Sequence, residues 1–539
     1  VKRSRFSAVL GSACVVWLVG CGEAPGHEQQ LDDGQANIDP GTENSSPTDG
    51  GPTPDAGPTP DAGPPSDAVL VTDTTRFYTS VGIAEQVNDL SANPPEILVQ
   101  QGSTFQLILG SAVPGGWRFN GVPSGPFYLR TGATHVITDA RHIDLGRNRL
   151  GRMDAEYSNS YLTALQINLL NMAPWQNTWS SQQPGSSLQL TSGEVDLFGY
   201  VNVFDQVPEG QTTLLTNQAD LSLSSGYNLP TFDASKGDRM YVNQLSQFSA
   251  GTAPDGTALG YAAVERSVQM GAFDYVPDGI TPLAVSGYLQ PTPMREFPIE
   301  WRLPVYTQFA TDVHPQATGS TPLFEVLPNA HNTGGRWVGY SGELLNLFLP
   351  RNSSFNFTSR LKFGNPFPSS WGLVGIHSYP FRVLSPVPDD SGVSMYLSGR
   401  LYSYDVFDNL IAGPVQPQVS PPRSLTIDGV AASVQREVGT NSPVLAWTPP
   451  ALGTPHAYRV TLYRYDAELR FLMPSGSIYA PGSTTQVRLP PGTLQPDSIY
   501  YLRVASIMSP GFDLSEPFTS LEKLPFHSAE AISSFFTTP

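Results

Sequence analysis

The chain has 539 residues, 14% of them charged, with 50 glycines, 51 prolines, two cysteines and a formal net charge of −18. That length calls for several domains rather than one core, and the turn-rich, aromatic-rich composition favours short strands over helices. The acidity leaves no basic footprint for phosphate neutralisation, which argues against nucleic acid as a partner.

At the start of the chain, Lys2, Arg3 and Arg5 precede an apolar run from Ala8 to Val19 that stops at Gly20-Cys21. Basic residues ahead of an apolar run too short to act as a stop-transfer helix, with a small residue before the cut, make an export signal over residues 1–20. Leu18-Val19-Gly20-Cys21 resembles the lipobox of bacterial lipoproteins. The resemblance implies cleavage before Cys21, acylation of that cysteine, and a lipid bilayer as partner. Acyl chains contribute about 0.8 kcal/mol per buried CH₂, so such an anchor needs no transmembrane helix, and no later segment offers about 18 consecutive apolar residues. Gly22 in place of aspartate looks like the outer-membrane-sorted type, which places the protein in the bacterial cell envelope, facing the periplasm or the surface. Cys14 leaves with the signal. The folded part then has no thiol, which excludes disulfides, zinc-thiolate sites and cysteine nucleophiles.

Residues 21–69 are Pro, Gly, Asp, Ser and Thr with few apolar groups, and Pro54-Asp55-Ala56-Gly57-Pro58 recurs as Pro60-Asp61-Ala62-Gly63-Pro64. Such a segment cannot bury enough surface to offset its ordering entropy. It reads as a disordered linker, about 40 Å end to end as a coil and nearer about 150 Å if polyproline-like.

Residues 70–150 open with alternating runs such as Thr104-Phe105-Gln106-Leu107-Ile108-Leu109. Trp117-Arg118-Phe119 followed by Val122-Pro123-Ser124-Gly125 and Phe127-Tyr128-Leu129 resembles the carboxypeptidase-regulatory or prealbumin-like β-sandwich. Residues 151–413 read as a large β-rich region of one or two sandwiches, punctuated by Pro254-Asp255-Gly256 and Pro277-Asp278-Gly279 turns. In residues 418–539, Pro443-Val444-Leu445-Ala446-Trp447, Tyr458-Arg459-Val460-Thr461-Leu462 and Leu494 to Val504 resemble a fibronectin type III domain. That resemblance implies Trp447 as the buried tryptophan and Tyr500 as a tyrosine corner bonded to backbone near Leu494. The expected fold is all-β: several β-sandwich domains in tandem after a disordered Pro/Gly/Asp-rich tether.

The chain carries little overt chemistry. His135 and His142 flank Asp139, but odd spacing on a strand sends them to opposite faces; the other histidines are scattered, so no metal site and no cofactor is assigned. No Gly-x-Ser-x-Gly elbow occurs, Gly339-Tyr340-Ser341-Gly342 failing at the last position. Glu194, Asp196, Asp205, Glu265, Glu300 and Glu343 are available carboxylates, and no catalytic residue follows from availability alone. Trp175, Trp179, Trp337, Tyr340 and Trp371 are the candidate ligand-binding aromatics, because exposed rings bury large area at low entropic cost. The expected role is binding, adhesion or spacing at the envelope, with a glycan or protein ligand. The alternative is a secreted glycan-directed hydrolase with a catalytic middle region, for which two convergent carboxylates in a cleft would be the mark.

Overall fold

The computed structural model describes residues 67–158, 163–223, 229–331, 339, 341–389, 392–513 and 523–539. Cys21, the linker to residue 66, Trp337 and Tyr340 lie outside the described residues. The fold is all-β, with three short helices, Leu303–Thr307, Ala310–Val313 and Phe407–Leu410, among its strands.

The first region is a two-layered sandwich. One layer places Val69–Thr72 between His142–Asp144, parallel, and Gly116–Phe119, antiparallel. The other runs Thr104–Leu109, Glu96–Gln101, Phe127–Thr131, Thr134–Thr138. Between them Val69, Val71, Ile97, Phe119, Phe127, Leu129 and Val136 form a core. Alternation sends the intervening Leu98, Tyr128 and Ile137 to the opposite face, where they enter a second core with the C-terminal region.

That C-terminal region is itself a sandwich. Arg423–Ile427, Val444–Thr448 and Gln486–Arg488 make one layer; Phe471–Pro481, Ala457–Asp466, Ile499–Met508 and Phe526–Ile532 make the other. Trp447 is buried against Tyr458, ring centroids 5.1 Å apart. Tyr500 is buried beside Phe536, and its hydroxyl accepts the Gln495 backbone N–H at 2.9 Å. Tyr500→Phe removes that acceptor and keeps the ring, so a loss of about 1 kcal/mol is expected in denaturant unfolding; a midpoint equal to that of the parent would show that the bond contributes nothing.

In the middle region the alternation is plain in Ala164–Leu170, where Leu165, Ile167 and Leu169 are buried and Gln166, Asn168 and Leu170 exposed. The strands Leu283–Tyr288, Ala164–Leu170, Leu214–Leu223, Leu197–Val203, Ser187–Ser192, Met240–Thr252 and Ala258–Met270 pair in that spatial order around one core. A larger core lies where Ala258–Met270 hands the sheet to Leu345–Phe348, Leu323–Asn329, Gly372–Pro386 and Ser394–Val406, covered by the hairpin Met294–Arg302 with Asn356–Gly364.

The regions are joined by strands, not only by chain. Ser394–Val406 pairs with Phe526–Ile532, and Phe471–Pro481 pairs in parallel with Thr134–Thr138. Among the described residues, 23 strands thus share one hydrogen-bonded network running from the middle region through the C-terminal sandwich into the first.

Candidate functional site

Six segments remote in sequence meet at a cleft of about 290 Å³, lined by Thr79, Ser80, Glu194, Arg239, Tyr241, Gln269, His331, Pro368, Ser370 and Trp371. Each is placed by a turn or strand end. Thr79 closes the strand Thr74–Thr79, and its hydroxyl donates to the Gly82 carbonyl across the hairpin. Glu194 sits in the turn between Ser187–Ser192 and Leu197–Val203. Tyr241 and Gln269 are register partners at one end of the long hairpin, with Gln269 Nε2 donating to the Tyr241 hydroxyl at 3.0 Å.

The electrostatics are balanced. Arg239 Nε lies 3.3 Å from Glu194 Oε1, and the Ser192 hydroxyl donates to Glu194 Oε2 at 3.2 Å. Burial pushes the Glu194 carboxyl up from its ordinary value, and Arg239 opposes that rise. His331 adopts a left-handed backbone, φ 51°, with Nε2 donating to the Gly193 carbonyl at 3.1 Å. Burial holds its imidazole below the usual histidine range, so at neutral pH it is uncharged. A Cβ on Gly193 would stand 2.8 Å from His331 Nε2 and 3.0 Å from the Trp371 ring, so this turn approaches the cleft only as glycine.

Beneath the cleft a buried ion pair fixes the strand entry. Asp238, fully buried, accepts from Arg152 Nε at 3.1 and 3.2 Å, from Arg152 Nη2 at 3.0 Å, and from the Asp233 backbone N–H at 2.8 Å. Arg152 also reaches Asp154, which Lys236 pairs at 2.6 Å. The next residue, Arg239, is therefore presented from a rigid base.

The aromatic candidates separate. Trp371 lines the cleft but is 7% exposed, stacked on Phe367 at 4.6 Å with the His331 ring edge-on at 5.4 Å. The expectation of an open ring face there is corrected: the Pro368-to-Trp371 turn folds the indole onto the core, and only its margin reaches the cleft. Trp179 is 78% exposed, while Trp175 is half-buried against the middle core. Their loop touches the far end of the long hairpin, where Gly260 N donates to Gln182 O, so they do not join Trp371.

The carboxylates also separate. Glu194 alone of the carboxylates weighed from the sequence lines the cleft. Asp196 is half-buried 3.9 Å from Arg149, and burial pushes its carboxyl up to about 6. Asp205 accepts from the Thr216 hydroxyl, and Glu300 pairs with exposed Arg302. Glu343 lies inside the protein beside Glu325. His135 is buried on its strand, whereas His142 is exposed on another, beside the Thr72 hydroxyl. Among the described residues no group of three or more His, Cys, Asp and Glu converges as a metal site, and no helix is long and apolar enough to cross a membrane. Arg239, Tyr241, Gln269 and His331 are functional candidates that sequence reasoning missed. A charged Gly237-Asp238-Arg239 turn leading directly into an apolar strand was the one local sign.

No family model matches the chain, and no curated protein matches it. Among solved structures it is similar to the crystal structure of chicken CNTN1 FN1-FN3 domains, at 11% identity over 72% of this chain and 99% of that one, with a TM-score of 0.13. At that score the strand pairing above, rather than the neighbour, describes the fold.

Proposed function

We propose that the protein is an envelope-anchored lipoprotein, acylated at Cys21, whose β-sandwich modules present a binding site for a small neutral glycan unit at the cleft of Arg239 and Trp371. The carrying observation is the make-up of its walls: one internally neutralised ion pair, an uncharged imidazole, an amide, a phenol and hydroxyls around an aromatic margin. Such a wall offers many donors and acceptors and no net charge, which suits a polyhydroxylated ligand, and its volume lies near the lower end of the range for small-molecule sites. The anchoring rests on the lipobox resemblance. The C-terminal sandwich, with buried Trp447 and the Tyr500 hydroxyl bonded upstream, is read as fibronectin type III-like, and the first sandwich as prealbumin-like.

The test is a glycan array on residues 22–539, followed by calorimetric titration of the best hit. Arg239→Ala and Gln269→Ala are expected to weaken binding at least about tenfold, the order of effect of losing a charged or buried hydrogen-bond partner, with unfolding midpoints unchanged. A full-strength hit on both variants would move the ligand away from this cleft. The anchor is tested separately, by mass spectrometry of the detergent-extracted amino terminus; an unacylated mature terminus would remove it.

A further inference from the structure

Inside the middle region two carboxyl groups touch with no cation bonded to either. Glu325 and Glu343 are 4% and 6% exposed. Glu325 sits in Leu323–Asn329, in register with Asn346 of the neighbouring strand Leu345–Phe348, so their Cβ atoms lie about 5 Å apart on one face. Asn346 Nδ2 donates to Glu343 Oε2 at 3.0 Å, and the Glu343 backbone N–H is pinned by Gln189 Oε1 at 3.0 Å. Three side chains are thereby aimed at one point. Two buried oxygens there, Glu325 Oε2 and Asn346 Oδ1, have no hydrogen-bond partner. Arg400 attracts Glu325 only through space, its guanidinium resting over the Tyr402 ring at 4.6 Å.

We propose that Glu325, Glu343 and Asn346 form a binding site for a calcium ion. Two buried carboxylates leave a double negative charge that a divalent cation neutralises. A single shared proton would bond one oxygen of each carboxyl and leave Glu325 Oε2 and the Asn346 carbonyl bare, an arrangement that is costly in a buried site. The donor set is oxygen only, which selects a hard cation over zinc or copper. Carboxylates that bind through one or two oxygens, with water completing the shell, suit the flexible coordination of calcium better than the strict octahedron of magnesium. Asn346 is partly exposed and marks the way in. The ion would tie the loop leading to Glu343 onto the two strands that carry Glu325 and Asn346, independently of any ligand in the cleft.

The test uses residues 22–539, stripped with chelator and dialysed against calcium chloride at neutral pH. One equivalent of bound calcium per chain is expected, with a saturable rise of several degrees in the thermal midpoint. Glu325→Gln and Glu343→Gln keep the shape of each side chain and are expected to lose both the ion and the rise. A parent protein that binds no calcium and whose midpoint calcium does not move would overturn the site, even if the variants failed to fold. So would an unaltered calcium response in both glutamine variants.

Discussion

Lowering the pH from 7 to 5 is expected to cost the folded protein roughly 3 to 5 kcal/mol. The source is a set of histidines folded in their neutral form. His377 is fully buried, and burial with His527 nearby lowers it to about 3; burial lowers His135 and His527 to about 4. The unfolded chain takes up a proton at each near 6.5, so below that value it binds more protons than the fold, and stability falls as pH falls until the folded pKa is reached. At pH 5 each of the three withdraws about 2 kcal/mol. Asp196 acts in the opposite sense, because its raised folded pKa lets the fold take up a proton first, and it returns roughly 1 kcal/mol. Other buried carboxyls add to that return. The measurement is the urea midpoint at both pH values for the parent and for His377→Gln. The amide keeps a partner for the Tyr306 hydroxyl, which lies 3.0 Å from His377 Nδ1, and removes the titration. The variant should lose about 2 kcal/mol less than the parent over this range; identical losses would show that His377 is not a buried neutral group.

Asp238→Ala is expected to be the most damaging single change near the cleft, at about 3 to 5 kcal/mol, because it leaves the part-buried Arg152 without its bidentate acceptor. The Asp233 backbone N–H loses its partner as well. Since Arg239 follows directly, the guanidinium facing Glu194 loses its fixed origin, and ligand affinity should fall together with the midpoint. Arg239→Ala separates the two effects: the side chain is about half exposed, so its removal should move the midpoint by less than about 1 kcal/mol while affecting binding. A stable Asp238→Ala protein would mean that the buried pair carries no structural weight.

The parts of this protein that were legible in its sequence are those whose physics is local. Leu165, Ile167 and Leu169 alternate with polar neighbours, and period two alone makes them a half-buried strand. Pro254-Asp255-Gly256 turns as written, with Gly256 at φ 87° and Asp255 accepting the Thr257 N–H at 2.9 Å. Five positions separate Gln495 from Tyr500, near enough for the corner to be read from spacing. The cleft was not legible, because Thr79, Glu194, Arg239, Gln269 and Trp371 converge only after strands hundreds of residues apart have paired. The carboxyl pair offered half a signal: Glu325 interrupts Leu323-Phe324-Glu325-Val326-Leu327, an apolar run in which a charge needs a reason. Its partner across the sheet could not be inferred from one strand. Trp371 misled for a related reason, since a tryptophan beside glycines reads as a loop residue until Phe367, four positions earlier, is seen to hold its face.

The parallel seam between Thr134–Thr138 and Phe471–Pro481 bears on how the chain comes to be folded at all. Residues 134 to 136 must wait for residues 477 to 479 to be made, so the first sandwich leaves the ribosome with one open strand edge and with Leu98, Tyr128 and Ile137 still facing water. Open edges and bare apolar rows are what drive unfinished chains together. Completion of the polypeptide, rather than of any one module, therefore ends its vulnerability to aggregation, and a chain cut off ahead of residue 477 would keep that sticky margin for as long as it lasted.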